Sequence, residues 1–258
     1  MTAPPYFPEQ LSVIVPAYNA SATIVATLED VIDWLQSRRI DFEVVVVDDG
    51  STDDTVARIQ RSFPEVRLLV NERNRGKGYS VRRGMLAAQK AWTLFMDADN
   101  STRIHELEKF AAFAREGAAV IIASRRLPAS RIVRQQHRFR QALGRTFPIF
   151  ARLLALPDIH DTQCGFKLFR RDAAQAIFSR QRVDRFAFDV EVLLLAKRLG
   201  YTIQEVPISW DNPTTSTLRI SRDAPRMLWD LLCSTVRLRF RSRLPQTGKR
   251  ALEVEQEG

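Results

Sequence analysis

Five short apolar runs, separated by stretches of helical spacing, constrain this chain more than any other feature. "LSVIVPAY" (11–18), "DFEVVVVDD" (41–49), "VRLLV" (66–70), "AWTLFMDAD" (91–99) and "AAVIIAS" (118–124) are nearly continuous in apolar residues. Strands of that kind are covered on both faces. Between them, roughly 20–38, 53–63, 77–90 and 103–116 carry apolar residues at helical spacing. Alternating strand and helix predicts an α/β fold, a doubly wound and mostly parallel sheet with right-handed crossovers. After residue 125 the pattern changes. Residues 131–156 read as a basic and apolar helical region, 166–170 as a strand, 171–180 and 187–199 as helices, 202–210 as a strand and 221–240 as a final helix. The expected organisation is an N-terminal tail (1–10), one domain over 11–243 and a disordered polar tail (244–258). Within the domain, 11–125 and 126–243 form two halves, and the second adds a C-terminal helical extension.

Ligands of a parallel sheet bind beyond the carboxyl ends of its strands. Two of those ends are acidic here. "FMDADN" places Asp97 and Asp99 one residue apart after an apolar strand. Like charges that close raise at least one pKa unless a cation lies between them. A hard, oxygen-only pair of this kind suits Mg²⁺ or Mn²⁺, completed by water and phosphate oxygens. The plainer reading is an acidic turn capping helix 103–116. In "VVDDGSTD", Gly50, Ser51 and Asp53 fit a turn and helix cap. Asp48 and Asp49 sit at the strand end itself, where carboxylates accept hydrogen bonds from ribose hydroxyls or a base N–H. In "NERNRGKGYSVRRGM", Gly76 and Gly78 bracket Lys77 just before a helix. That is either an anion site or an ordinary loop entering a helix.

Charge narrows the partners. The chain of 258 residues carries a formal net charge of +9, and only six of its 39 basic residues are lysine. Arginine binds phosphate in a planar fork, so a nucleotide, nucleic acid or an anionic membrane surface is implied, unless the arginines serve only solubility. Acids at the strand ends would repel nucleic acid, so none is expected as a partner. Two cysteines without a disulfide framework fit a reducing compartment. The start, "MTAPPYFPEQ", shows no secretory signal, and no apolar run reaches the ~20 residues of a membrane span. The expected location is cytoplasmic, peripheral on the cytoplasmic face of a membrane. His105, His137 and His160 show no zinc spacing.

"VPAYN", "VVDDGSTD", "NRGKGYSVRRG", "DAD", "DTQCGFKLF" and "FDVEVLLLAKRLGYTIQEVPISW" follow one another in that order. Together, from residue 11 to about 240, they resemble an inverting family-2 glycosyltransferase of the A-type nucleotide-sugar fold. Within that family they are most similar to the dolichyl-phosphate β-glucosyltransferases and, next, to polyprenyl-phosphate mannosyltransferases. The resemblance implies that Pro16, Ala17, Tyr18 and Asn19 edge the nucleotide pocket and that Asp48 and Asp49 bind uracil or ribose. Gly76, Lys77 and Gly78 would lie against the donor. Asp97 and Asp99 would bind the metal and diphosphate, and Asp161, Gln163 and Lys167 would shape the sugar and acceptor side. Some relatives place Gln or His two residues beyond the second aspartate, where this chain has Ser101. Eukaryotic glucosyl relatives carry an N-terminal membrane anchor that this sequence does not show.

The implied reaction is metal-dependent, inverting transfer of a hexose, glucose from UDP-glucose, to a polyprenyl or dolichyl phosphate. GDP-mannose or UDP-N-acetylhexosamine as donor, or a glycan hydroxyl as acceptor, are the alternatives. A hydroxyl needs a general base, for which Asp161 is the candidate. A lipid monophosphate, with a second pKa of about 6, is already ionised near pH 7. It needs cations instead, and Arg125, Arg126, Arg131, Arg138, Arg140 and Arg145 gather before "DTQCGFK". On a helix over 134–154, Phe139, Leu143, Phe147, Phe150 and Leu154 share a face beside Arg138, Arg145 and Arg152. That describes an interfacial helix, or a core helix with a solvated basic face. Residues 231–245 either lie on a membrane or cap the fold. Asp189 and Glu191 open a helix, where acids favour the dipole or contact sugar.

Overall fold

Alternate residues of each buried strand feed two separate cores. In β1 (Gln10–Ala17), Val13 and Val15 pack on one face of the sheet and Ile14 on the other. The computed structural model describes residues 7–132, 152, 155–211 and 220–240. Its main sheet has seven strands in the order β3-β2-β1-β4-β7-β5-β8, with β2 Asp41–Asp48, β3 Arg67–Val70, β4 Trp92–Met96, β5 Val120–Ser124, β7 Phe166–Arg170 and β8 Ile203–Pro207. Strands β1 to β4 run parallel, and β5 is parallel to β8. β7 lies antiparallel between β4 and β5. The sheet is therefore mostly parallel, as expected, with one reversed strand from the second half of the chain inserted near its middle.

One face carries α1 (Ile24–Ser37), through Ile24, Leu28, Val31 and Leu35, together with the segment after β4. That segment was expected to be an α-helix over 103–116. Instead, Ile104–Phe110 forms a 3₁₀ turn, followed by the short α4 (Ala111–Arg115). Ile104, Leu107 and Phe110, all buried, recur every three residues, which is the 3₁₀ period and not the α period. The second face carries α3 (Lys77–Ala87), α5 (Arg171–Phe178), α6 (Phe188–Arg198) and the long α7 (Ile220–Phe240). α2 (Thr55–Ser62) follows β2 and packs beside α1.

Two boundaries differ from the sequence reading. The N-terminal tail is shorter than ten residues, because Gln10 already belongs to β1 and the Phe7 ring packs edge-on against Trp92 at 5.1 Å. Arg131–Ile132, expected as the start of a helix, is a strand, β6, paired in parallel with β9 (Ser209–Trp210). The proposed interfacial helix over 134–154, with Arg138, Arg140 and Arg145, lies outside the described residues, apart from the exposed Arg152.

α3 sits close on the sheet because residue 84 has no side chain. A Cβ there would lie 2.3 Å from Ile14 Cγ2 and 3.0 Å from Val47 Cγ2. Gly84→Ala is expected to destabilise the protein by ~1–2 kcal/mol, an overpacking cost of about 1–3 offset by the better helix propensity of alanine. A lowered midpoint of urea unfolding checks this; an unchanged midpoint would mean that Ile14 yields freely.

Candidate functional site

The carboxyl ends of β1, β2 and β4 converge on one edge of the sheet, and their polar groups are held by partners distant in sequence. After β1, Tyr18 is partly exposed and Asn19 adopts φ 49°, in the left-handed region that Asn tolerates. Asn19 Oδ1 accepts the Thr52 backbone N–H at 2.8 Å, and its own N–H donates to Ser51 Oγ at 2.9 Å. Pro16 and Ala17 pair with Val47 and Asp48 across the strands, so the first two acidic positions stand next to "VPAYN".

Asp48 and Asp49 divide their roles. Asp48 is buried; its Oδ2 accepts the Ser51 N–H at 3.0 Å, while its Oδ1 has no partner. A buried orphan acceptor at a strand end is where a ligand N–H or O–H would fit. Asp49 holds three donors from one distant loop. Its Oδ1 accepts from Asn71 Nδ2 (2.8 Å) and the Arg75 N–H (2.9 Å), and its Oδ2 accepts the Gly76 N–H (2.8 Å). Asp49, expected to bind uracil or ribose, here staples the loop that delivers Lys77.

Lys77 opens α3, and its Nζ meets Asp97 Oδ1 at 2.6 Å. Burial alone would lower its pKa, but Asp97 and then Asp189 outweigh it, and the net shift is upward. The loop can reach there because Gly76 and Gly78 lie against the backbone before α6. Added Cβ atoms would fall 2.4 Å from the Asp184 carbonyl oxygen and 2.5 Å from that of Val183. The bracketing glycines thus serve close chain approach.

The Asp-Ala-Asp turn is pinned from α1: the Thr23 and Thr27 hydroxyls both donate to the Ala98 carbonyl, at 2.9 and 3.0 Å. Asp99 Oδ1 accepts the Ser101 N–H at 3.0 Å. Its pKa is raised, first by burial and then by Asp97. Lys77 thus pairs directly with Asp97 and acts on Asp99 only from a distance, and among the described residues Asp99 has no ion pair of its own. Among the described residues no cluster of three or more His, Cys, Asp or Glu could hold a metal. Asp97 and Asp99 nevertheless fit Mg²⁺ or Mn²⁺, as two hard oxygen donors with a charge deficit, provided that ligand oxygens complete the shell. Ser101 meets the turn through its backbone.

The antiparallel β7 brings "DTQCGFKLF" alongside. Met96 pairs with Phe166, and the Asp97 N–H donates to the Gly165 carbonyl at 3.0 Å. A Cβ on Gly165 would lie 2.0 Å from Asp97 Oδ2, so only glycine leaves room for that carboxylate. Lys167 does not face an acceptor, contrary to expectation. It is 1% exposed and its Nζ is spent on Asp189 Oδ1 and the Cys164 carbonyl, both at 2.5 Å. Burial raises the Asp189 pKa, opposed by Lys167 and Lys77. Burial also pushes the Cys164 thiol up to about 12.

Asp161 is likewise no free base. It is fully buried, with Oδ2 on Arg125 Nε at 2.7 Å and Oδ1 on Arg125 Nη2 at 2.9 Å, and the Arg125 N–H also donates to it. Burial would raise its pKa, but the Arg125 guanidinium holds it well below the usual carboxylate range, which is the wrong direction for accepting a proton. Arg125 also lies over the Trp210 ring, 5.3 Å from its centroid. Gln163 follows; its N–H donates to Asp161 Oδ1 at 3.2 Å, and its buried Nε2 has no partner. Glu191, at the start of α6, is structural: it accepts the Arg182 and Val183 N–H groups and pairs with Arg237. Thr23, Thr27, Asn71, Gly165 and Asp189 were not singled out for the architecture they provide. Apart from Gly165, inside "DTQCGFKLF", and Asp189, at the head of its helix, no local pattern marks them.

Residues 12–178 match the family described as Glycosyl transferase family 2. The chain is 36% identical over 247 residues to the dolichyl-phosphate beta-glucosyltransferase of Dictyostelium discoideum, covering 90% of this chain and 74% of that protein. It is 33% identical over 243 residues to the Saccharomyces cerevisiae protein of the same name, covering 86% and 73%. The human protein so named is 33% identical over 261 residues, covering 93% and 80%. Among solved structures, glucosyl-3-phosphoglycerate synthase from Mycobacterium tuberculosis in complex with Mn²⁺ and uridine-diphosphate-glucose aligns with a TM-score of 0.65 at 19% identity, over 89% of this chain and 78% of that one. A complex of that synthase with Mg²⁺ and uridine-diphosphate aligns at 0.67, with 19% identity and coverage of 89% and 79%. These structures share the fold.

Two outcomes follow from this geometry. Asp161→Asn leaves a guanidinium without its buried carboxylate and is expected to cost about 3 kcal/mol at neutral pH. Because the folded pKa is depressed, that contribution exists above the unfolded value of about 3.9 and is lost as pH falls through the folded value. Urea unfolding of variant and parent should therefore converge in acid; a constant gap would refute the pairing. Gly165→Ala should weaken Mn²⁺ binding, read by calorimetry, with an unchanged circular dichroism spectrum. Unchanged Mn²⁺ affinity would remove Asp97 from the metal site.

Proposed function

The chain belongs to glycosyl transferase family 2, and on that premise we propose that it transfers glucose from UDP-glucose to a polyprenyl or dolichyl phosphate, with inversion at the anomeric carbon. It has the A-type glycosyltransferase fold. The observation that carries the donor half is the Asp97–Asp99 pair, whose second member has no direct ion-pair partner among the described residues. Three similar proteins named dolichyl-phosphate beta-glucosyltransferase, each matched over more than two thirds of its length, support the sugar and the acceptor.

In this reading Asp97 and Asp99 hold Mg²⁺ or Mn²⁺ against the diphosphate. The ion, when bound, acts as a Lewis acid that neutralises charge developing on the departing diphosphate. Lys77, fixed by Asp97 and delivered by the Asp49 staple, adds a second positive charge on that side. Asp48 Oδ1 accepts a hydrogen bond from the base or ribose, with Pro16, Ala17, Tyr18 and Asn19 at the edge of the same pocket. Gln163 Nε2 offers its unused donor to the sugar or to the acceptor phosphate.

Asp161 favours the phosphate acceptor over a hydroxyl. A hydroxyl must surrender a proton, and this carboxylate is committed to Arg125. A lipid monophosphate is already ionised near pH 7 and asks only for positive charge and alignment. Arg125, rigid because Asp161 and Trp210 hold it, supplies both. Arg138, Arg140 and Arg145 would add to it from outside the described residues. The protein would then work as a peripheral enzyme at the cytoplasmic face of a membrane.

Labelled UDP-glucose, Mn²⁺ and a polyprenyl phosphate test this directly. Label is expected in the organic phase and is expected to disappear with EDTA. Asp99→Asn should lower transfer on the order of 100-fold, the scale of losing one electrostatic contact to a departing oxyanion. The variant should melt no lower than the parent, because a like-charge contact is removed. EDTA-resistant transfer, or full activity in the variant, would end the metal assignment.

A further inference from the structure

The outer face of α7 is apolar and uncovered. Trp229 is 68% exposed, Val236 55% and Leu232 40%. With the exposed Cys233, they fall at positions i, i+3, i+4 and i+7, a single stripe down one side of the helix. Met227, Leu231, Ser234 and Leu238, on the opposite side, are buried, and α7 packs there on α6. A soluble surface seldom carries an indole this exposed within an apolar stripe unless something covers it.

A cavity of about 380 Å³ opens beside the stripe, between the C-terminal ends of α5 and α6 and the flank of α7. Arg180, Arg182, Arg198 and Arg237 line it, with Ser179 and Gln181. Arg180 Nη1 donates to the Ala176 carbonyl and Ser179 Oγ, which fixes its guanidinium at the wall, and Arg182 is exposed at the rim. Arg237 pairs with Glu191 and stands on the same helix as the stripe, so cavity and stripe share an edge. The arginines give this concavity a positive wall, and Arg182, exposed at its rim, suits a phosphate group by charge and by fork geometry.

The position also fits. Asp230, between the stripe and the core, lies within electrostatic reach of Arg185. Arg185 in turn backs Gly76, next to Lys77. Among the described residues no helix is long and apolar enough to cross a membrane.

We infer that this face docks on an anionic membrane, the Trp229–Leu232–Val236 stripe entering the interface while the arginine cavity takes a phospholipid headgroup phosphate. The inference rests on the lipid-acceptor reading above. Aromatic and apolar side chains beside basic ones form the pattern of an interfacial helix, with hydrophobic burial and headgroup attraction adding.

Co-sedimentation of the full chain with phosphatidylcholine vesicles, with and without phosphatidylserine, tests it. The parent is expected to bind the mixed vesicles better than the neutral ones. Arg182→Gln should weaken that binding about 5-fold, the effect of one basic residue near such a surface. Trp229→Ser should weaken binding to both vesicle types. UDP binding by both variants, unchanged from the parent, shows that they are folded. A parent that binds while both variants match it would overturn this surface and leave the lipid-acceptor reading standing. A parent that binds neither vesicle but glucosylates a detergent-dissolved polyprenyl phosphate would overturn membrane docking alone. No binding and no transfer would count against both. Inorganic phosphate that stabilises the parent but not Arg182→Gln, with vesicle binding unaffected by the change, would make the cavity a free-phosphate site and refute the docking surface.

Discussion

Two carboxylates at the end of one buried strand govern the rest of the site. Asp97 and Asp99 repel one another unless positive charge lies nearby, and among the described residues their one direct partner is Lys77, on Asp97. Beneath it the signs alternate. Asp189 acts on Lys77 and pairs with Lys167, and both lysine Nζ atoms lie 5.5 Å from the Phe95 ring centroid. Charge this far inside a protein is tolerable only when each group is paired and hydrogen-bonded. Among the described residues the layer is balanced up to Asp99, where it stops one positive charge short. That deficit faces the strand ends, where a ligand-borne cation can meet it.

The reversed strand makes the arrangement possible. Parallel strands alone would bring only loops after β1, β2 and β4 to the site. Inserting β7 between β4 and β5 aligns its N-terminal end with the carboxyl end of β4, so that Gly165 touches Asp97 and the Asp161–Gln163 segment stands beside the acidic turn. Asp161 then meets Arg125, which follows directly on β5. A single antiparallel insertion thus joins the acid-lined donor edge to the arginine-lined edge where a second anion would bind.

The sequence showed the strands, their order of alternation and the acidic strand ends, because each depends on local pattern. A run such as "VVVVDD" declares both its burial and its polar terminus. What it could not show is which of several equivalent carboxylates is spent. Asp48 and Asp49 are neighbours of one chemical type, yet Asp49 is consumed by Asn71, Arg75 and Gly76, residues over 20 positions away, while Asp48 keeps a free oxygen. Asp161 and Lys167 were misjudged for the same reason. Their partners, Arg125 and Asp189, are 36 and 22 residues distant, and no motif spacing reports a pairing made by tertiary contact. The 3₁₀ turn after β4 was nearer to hand, since its buried residues recur every three positions.

Commitment of Asp161 to Arg125 also bears on what kind of acceptor the site can serve. An enzyme that activates a hydroxyl keeps its base near neutrality, with a lone pair toward substrate. Here the Arg125–Asp161 pair works in the opposite sense: it lowers the basicity of the carboxylate and makes the guanidinium a permanent, oriented cation. Such a device adds nothing to proton removal. In the proposed reading it would add to the binding of an acceptor that arrives already charged and would otherwise be repelled by the diphosphate beside it. Lys77 on Asp97 and Arg125 on Asp161 are then variants of one solution, each a cation held by a carboxylate, half-buried in the first pair and fully buried in the second, so that in the proposed reading an anion could approach.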